Sequence, residues 1–519
     1  PRAKAAMLRS ILLLCAFLGC ALSLPSQDET KLLATFAKAF TPPKGKPGAT
    51  LEARQAALHA TKGLDSGKAA ETLVGGWLDL DVELAALDTQ RTAASEEMAK
   101  ILKGQEASEQ RTFPQAELTR FNQLKDAVAR LRDQGDGLRE LQLQLAERIS
   151  ELRRRDATLW LLQRVCGNKK HPMPLRLAAG KAVGGGAVDV LEEVAAALQR
   201  AKDPAEQIVL LDALTLAGRS ATLHANPVIE LLQSKEEAVA ERAAMALAKI
   251  AVADAVGPMI QLLVRSSGQS RLRIASALEV LTNQQFGINI GAWQAWWQTD
   301  GPMFAQGGKL GGGTPSHRKD TNQFYYFGIP QDQSNSILYV IDCSGSMKAT
   351  VRMKDGEGKE VETSRIEACK AELARALGLL RPTQKFAILW FNDMPHFWEP
   401  KMQLATKETI VRAQTFVGTL KNASSTNIHD SLEQAFTLCG RGKTDKYYGI
   451  ELDTIFLLTD GSPTRPDGKL DSTDKILVGV RAWNPLKRVT IHCIGIGKDL
   501  NTTFLQQLAS ENGGEYKQF

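Results

Sequence analysis

The sequence predicts a multidomain protein. An all-α N-terminal part, a coiled coil followed by an α-solenoid, leads into a C-terminal α/β unit with an open sheet. Three observations predict this. Leucines recur every seven residues from Leu124 to Leu159. The segment NPVIELL (226–232) returns as GPMIQLL (257–263) at a spacing of 31. Two short apolar runs near the C-terminus, SILYVI (336–341) and TIFLLT (454–459), each end in an aspartate and a Gly/Ser turn. At 519 residues the chain has room for three or four domains of ~150 residues. An apolar fraction of 43% is ordinary for globular cores, and 6% aromatic content suits helical repeats. The net charge of +6 is modest, with Lys and Arg interspersed among Asp and Glu, so nothing points to a nucleic-acid surface.

Residues 1–23 read as a signal peptide. Arg2, Lys4 and Arg9 precede the apolar run Ile11–Leu18, and Ala21-Leu22-Ser23 offers a small-x-small cleavage site. The run is short for a membrane span. Two other readings are a lipoprotein signal, with lipid on Cys20, and an uncleaved anchor. The expected location is therefore exported, periplasmic or extracellular, with membrane anchoring as the alternative. Five cysteines follow the signal: Cys166, Cys343, Cys369, Cys439 and Cys493. An odd number argues against a disulfide framework, and buried free thiols are the default.

Residues 24–75 read as short helices with irregular stretches. Residues 76–159 read as a helical coiled coil: Leu124, Leu131, Leu138, Leu145, Leu152 and Leu159 hold one heptad position, and Phe121, Val128 and Ile149 its companion. Gly135 and Gln142 interrupt the pattern, and DQGDG (133–137) reads as a hinge or as the turn of a helical hairpin. The seam serves self-association or packing within the chain. Residues 160–303 repeat as pairs of short amphipathic helices: Arg242, Ala246, Leu247 and Ile250 align with Arg273, Ala277, Leu278 and Leu281. One such pair cannot bury its apolar stripe alone, so pairs stack. The stretch EEAVAERAAMALAKIAVADAVGPMIQLLV resembles HEAT-type repeats. Trp293, Trp296 and Trp297 read as a packed cap. Residues 304–320, rich in Gly and polar residues, read as a flexible linker that lets the last domain, 321–519, reorient.

In that domain five residues offer oxygen to one hard cation: Asp342, Ser344 and Ser346 in IDCSGSM, Thr426 in SSTNIHD, and Asp460 in LLTDG. Ligands of open α/β sheets bind beyond the carboxyl ends of the strands. Two strands ending in Asp there aim both carboxylates at one point. Ser344 and Ser346 follow Asp342 at two-residue steps in a loop opened by Gly345, and Thr426 stands near a helix N-terminus. Two carboxylates and neutral hydroxyls roughly neutralise a divalent ion. Mg²⁺ takes six oxygens and keeps waters, which leaves a position for an acidic side chain of a partner. The stretch 348–363, alternating around DGEG, predicts a β-hairpin beside this point.

The run D-C-S-G-S (342–346), Thr426 and T-D-G (459–461), together with SRIEACKAELARALGLL, KFAILWF, RVTIHCIGIG and LASENGGEYKQF, resembles the von Willebrand factor type A (VWA) domain and its metal-ion-dependent adhesion site (MIDAS). The resemblance implies a doubly wound, Rossmann-like sheet flanked by helices. It also implies Mg²⁺, or Mn²⁺ or Ca²⁺, at the top of the sheet, and a protein ligand bound through an acidic residue. Ser344, Ser346 and Thr426 would ligate directly, the two aspartates often through water.

The expected function is thus an exported, non-enzymatic protein that captures a protein ligand through a metal, with the helical repeats as scaffold. One alternative is a metal-independent scaffold whose repeats and coiled coil do the binding. Another is a hydrolase using the metal, or Cys343 with His429 or His492 as base. No G-x-S-x-G, P-loop or HExxH supports an enzyme.

Overall fold

The computed structural model describes residues 26–41, 48–106, 114–315, 324–354, 360–422, 425–438, 451–465, 469–498 and 500–519. The expected signal segment and the end of the expected linker lie outside them. No described helix is long and apolar enough to cross a membrane.

Helices α1 (Ser26–Phe40), α2 (Leu51–Ala60), α3 (Gly67–Glu106) and α4 (Gln115–Ser150) open the chain. The C-terminal part of the heptad seam packs within the chain. Leu138, Leu141, Leu145 and Ile149 of α4 share a buried cluster with Leu73, Val74, Trp77 and Leu80 of α3. The hinge or hairpin turn expected at 133–137 is not there, because α4 runs unbroken through it. Two helical glycines cost roughly 1 kcal/mol each relative to Ala. Gly137 lets α4 pass close to α2, since a Cβ there would stand 3.1 Å from Leu51 Cδ2. Asp133 and Asp136, which made the segment look like a turn, are charged partners of the C-terminal unit.

After α5 (Arg155–Leu161) come α6 (Met173–Gly184), α7 (Leu191–Arg200), α8 (Pro204–Ala217), α9 (Asn226–Leu231), α10 (Glu237–Ile250), α11 (Val256–Arg265) and α12 (Gly268–Thr282). The two aligned sequence units fold as α9–α10 and α11–α12. Helices α6, α8, α10 and α12 pack side by side as a row. Gly184 makes the first crossing tight: a Cβ there would sit 2.2 Å from the Ala213 carbonyl. Helices α13 (Ile290–Thr299) and α14 (Gly301–Gly307) close the row. Trp293 is fully buried and meets Phe286 edge-on at 5.0 Å.

The described part of the expected linker is bound to the row at residues 309–313. Gly311 N–H donates to Leu281 O (2.7 Å) and Gly313 N–H to Val280 O (3.1 Å). Asn283 Nδ2 reaches Lys309 O (3.0 Å). A Cβ at Gly313 would fall 2.0 Å from Glu279 O. Gly313 permits this close backbone approach, while Gly311 and Gly312 take positive φ, so the reading of a free linker is corrected for residues 309–313.

The C-terminal unit holds β1 (Tyr325–Tyr326), β2 (Ile329–Pro330), β3 (Ser336–Asp342), β4 (Thr350–Lys354), β5 (Glu360–Ser364), β6 (Lys385–Phe391), β7 (Pro395–Phe397), β8 (Gln403–Leu404), β9 (Thr454–Thr459), β10 (Thr490–Gly495) and β11 (Tyr516–Gln518). Its helices are α15 (Arg365–Gly378), α16 (Lys407–Thr419), α17 (Ile428–Thr437), α18 (Thr473–Trp483) and α19 (Thr502–Glu511). The main sheet runs β11-β10-β9-β3-β6-β7, parallel from β11 to β6, with β7 and β8 antiparallel on β6. All seven residues of β3 are buried, as a central strand covered on both faces requires. Tyr339, Phe386 and Phe456 face α15 and α16, while Val340, Leu389 and Leu457 face α17, α18 and α19. The chain leaves β3 towards β6 on one side and returns to β9 on the other. That reversal at the carboxyl ends of β3 and β9 is where ligands of such sheets bind. The expected hairpin is present as the separate ribbon β4–β5.

The C-terminal unit is docked on the helices. Arg242 Nη2 donates to Leu486 O (2.8 Å), Arg273 Nη2 to Arg488 O (2.9 Å) and Asn335 Nδ2 to Ser267 Oγ (3.0 Å). From α4, Asp133 pairs with Arg465 (2.9 Å) and Lys475 (3.2 Å). The expectation of a freely reorienting last domain is corrected by this seam.

Candidate metal centre

Strand β3 delivers Asp342 and β9 delivers Asp460 to the same end of the sheet. Asp342 is fully buried, and both its carboxylate oxygens are used: Oδ1 accepts from Ser344 N–H (2.7 Å) and Oδ2 from Thr459 Oγ (2.6 Å). Burial, reinforced by the Asp460 charge, pushes its pKa up to about 6 despite these bonds. The turn after β3 brings Ser346 back beside Ser344, Oγ to Oγ 3.0 Å, and Ser346 Oγ donates to Asp460 Oδ1 (2.7 Å). Asn422 Nδ2 pins the loop from the side through Ser344 O (3.1 Å).

Thr426 lies one residue outside the cap of α17, where Asn427 Oδ1 accepts from Asp430 N–H (3.2 Å). Two backbone-anchored bonds hold it: Thr426 N–H to Thr464 Oγ (2.7 Å) and Thr464 N–H to Thr426 O (2.8 Å). Its hydroxyl and that of Ser346 stand equally far, 3.8 Å, from where a Cβ would lie on Gly461. The absent side chain of Gly461 therefore leaves a small cradle walled by both hydroxyls. Asp342, Ser344, Thr426 and Asp460 are buried, whereas Ser346 is exposed and marks the open side. The structure thus brings together all five residues singled out from the sequence. An all-oxygen set of three hydroxyls and two carboxylates is the chemistry that a hard divalent ion takes, and the residues present fit such an ion.

Four further residues belong to this place. Thr459 holds Asp342, Thr464 and Asn422 hold the two loops, and Arg365 donates from Nη1 to Asp460 Oδ2 (2.8 Å). Thr459 lies inside the quoted T-D-G motif and Arg365 inside the quoted run SRIEACKAELARALGLL, but nothing in the sequence ties Arg365, Thr464 or Asn422 to this place. The thiol–base alternative receives no support. Burial, reinforced by Asp342, pushes the Cys343 thiol up to about 12, and no described hydrogen bond joins it to an imidazole. Burial drives His492 down to about 4, and its Nδ1 accepts from Glu515 N–H (3.0 Å). Cys166, Cys343, Cys369 and Cys493 are free and buried.

A second acidic cluster lies nearby on α17: ligand atoms of His429, Asp430 and Glu433 fall within 4.8 Å of one another. Cations of the helical hairpin already occupy it. Arg91 pairs with Glu433 (2.6 Å), and Arg132 pairs with Asp471 and stands 3.5 Å from Asp430. His429 Nδ1 meets Asp430 Oδ1 at 2.9 Å, and its Nε2 lies 3.7 Å from Asp136 of α4, an ion-pair separation and not a hydrogen bond. Burial alone would raise the Asp430 pKa, but Arg132 and His429 more than offset it and hold this carboxyl well below the usual range. This cluster is read as a seam of ion pairs and not as a metal site.

Residues 358–518 match the family described as von Willebrand factor type A domain. The match begins between β4 and β5, so Asp342–Ser346 precede it. Inter-alpha-trypsin inhibitor heavy chain H1 of Mesocricetus auratus is 28% identical over 198 residues, 37% of this chain and 20% of that protein. Heavy chain H4 of Homo sapiens is 28% identical over 184 residues, 34% of this chain and 17% of that protein. The chain thus spans about a fifth of the length of the curated relatives it matches. Among solved structures, proximal thread matrix protein 1 from the mussel byssus, with a zinc occupied MIDAS motif, is similar at 16% identity and a TM-score of 0.25, covering 35% of this chain and 41% of that one. With the parallel sheet, the two helical faces and the family match in place, the C-terminal unit is a von Willebrand factor type A domain.

Proposed function

We propose that this chain is an exported protein that captures a protein ligand through a divalent metal in its VWA domain. Its helical part, read as HEAT-like repeats preceded by an intramolecular coiled-coil hairpin, serves as scaffold. The observation that carries this is the convergence of hydroxyls and carboxylates from three distant segments around the cradle at Gly461, with Ser346 open to solvent. Ser344, Ser346 and Thr426 would hold Mg²⁺, or Mn²⁺ or Ca²⁺, by their hydroxyls, with Asp342 and Asp460 supplying negative charge. Once held, the ion offers a coordination position to an acidic side chain of the ligand. Nothing in this reading calls for turnover.

The test is a pull-down from the exported fraction with the full chain, run with Mg²⁺ or Mn²⁺ and again with EDTA. Capture that needs the metal and drops at least tenfold in Asp342→Ala, with unchanged circular dichroism, supports the reading. Capture indifferent to EDTA and to Asp342→Ala would instead assign binding to the helical scaffold. Membrane association is checked separately, by fractionation of Cys20→Ser and of a chain lacking residues 1–23.

A further inference from the structure

The metal mouth contains a cation of its own, and the charge count read from the sequence omits it. Arg365 is the first residue of α15. Ser364 caps that helix by accepting from Glu367 N–H (3.3 Å), and Arg365 N–H donates to Ala349 O (2.9 Å) at the base of the ribbon. Two backbone anchors therefore fix where its side chain starts. The guanidinium ends on Asp460 Oδ2, 2.8 Å away, with side-chain exposures of 13% for Arg365 and 0% for Asp460. Room for it is built in. Gly497 has φ +107°, a conformation that side chains rarely adopt, and a Cβ there would stand 2.5 Å from Arg365 Nη2. The Nε atom is buried without a hydrogen-bond partner among the described residues. A buried polar atom left unmatched costs free energy, so packing elsewhere must hold the side chain in this place.

We propose that Arg365 trades metal affinity for selectivity towards an anionic guest. The inference rests on the metal-capture reading above. Asp342 and Asp460 alone would cancel a divalent ion. With Arg365 fixed beside Asp460, the loaded centre carries a net single positive charge. Metal binding is weakened, because Arg365 repels the ion and holds one Asp460 oxygen. A carboxylate guest gains, because it meets a cationic and not a neutral centre, and an uncharged isostere gains nothing.

The test uses the full chain, Mn²⁺ and acetate, with acetamide as the uncharged control. Mn²⁺ affinity is measured by calorimetry. Guest binding is measured from the broadening of the acetate methyl proton signal at matched Mn²⁺ occupancy. Arg365→Gln is expected to bind Mn²⁺ about tenfold tighter and acetate about tenfold more weakly, the scale of one unit charge acting through a largely water-screened few ångströms. Arg365→Lys keeps the charge and is expected to stay within about threefold of the parent in both. Acetamide is expected to respond to neither variant. Weaker or unchanged Mn²⁺ binding in Arg365→Gln, or a lysine variant that behaves like the glutamine one, overturns the role of Arg365 while leaving the metal site standing. Failure of the parent and both variants to bind Mn²⁺ overturns the metal site itself and this inference with it. Should Arg365→Gln not fold, Arg365→Lys and Arg365→Met, judged by the same two readouts, decide the matter.

Discussion

The VWA domain carries two clusters of carboxylates, and they are built in opposite ways. At the seam with the helical hairpin, carboxylates meet cations nearly one for one. Glu433 meets Arg91, Asp471 meets Arg132, and Asp133 meets Arg465 and Lys475. Asp88 and Asp136 meet Arg139. Asp430 sits between Arg132 and His429. At the mouth of the sheet, Asp342 and Asp460 meet hydroxyls, the Ser344 N–H and, among the described residues, a single guanidinium. Hydroxyls satisfy lone pairs without neutralising charge. The number of acids in a cluster is thus a poor guide to metal binding. What matters is whether the chain supplies the counter-charge itself. The seam does so in full, and the mouth stops short.

The largest expected effect is at the seam. Arg132 is 3% exposed and Asp471 4%. Arg132→Ala takes the buried Asp471 from its arginine and leaves Asp430 and Asp136 to His429 and Arg139 alone, which costs about 3–5 kcal/mol. The urea midpoint of the full chain should fall accordingly, with the seam-side amides losing hydrogen-exchange protection first. A midpoint that stays put would show the network to be superficial. Next comes the mouth. Saturating Mn²⁺, at a hundred times its Kd, should stabilise the parent by about 2.7 kcal/mol, and Asp342→Ala should abolish that gain. Glu433→Gln should keep it. If the two variants exchange behaviour, the two clusters have been assigned the wrong way round. A smaller effect is expected from Gly461→Ala, whose methyl would enter the cradle between Ser346 and Thr426. Mn²⁺ affinity should drop about tenfold, the scale of a change just outside the ligand set, with little change in metal-free stability.

How much of this the sequence showed depends on how far each interaction reaches along the chain. Asp342 with Ser344 and Ser346 is local. Asp460 could be placed because its strand repeats the pattern of the first, an apolar run ending in Asp and a turn. The hairpin at 348–363 and the paired helices from 226 onward were legible because turn residues and 31-residue spacing are local facts. Arg365 was not legible. Its bond to Asp460 closes 95 residues, and nothing in SRIEACK distinguishes it from an ordinary surface arginine near a helix start. DQGDG misled for the same reason. Its glycines and aspartates look like a turn until Asp133 is seen to serve Arg465, 332 residues away. The glycines of 311–313 read as freedom, where Gly313 provides close approach to the Glu279 carbonyl. Local grammar reports elements and repeats; it is blind to counter-charges supplied from a distance.

The smallest effect, and the finest probe of the seam, is the proton on His429. The ring is fully buried. Asp136 and Arg132 face it from α4, Asp430 from its own helix, and Trp483 of α18 meets it edge-on at 5.3 Å. Burial draws its pKa down and Arg132 opposes the proton, but the two carboxylates more than offset both, so the folded value is raised above the ordinary 6.5. The sign follows from proton counting. Below pH 6.5 both folded and unfolded chains hold the proton, and the seam has its full benefit. As pH rises the unfolded chain releases it first, so the folded state binds more protons and stability falls with pH until the folded value is passed. The urea midpoint of the parent should therefore decline on going from pH 6 into the alkaline range. His429→Gln keeps a polar group of similar reach but no titrating proton, and it should flatten that decline while leaving Mn²⁺ affinity at the parent value. A midpoint that instead rises over this range would mean that the histidine is held neutral, and that the carboxylates of the seam are balanced by arginine and lysine alone.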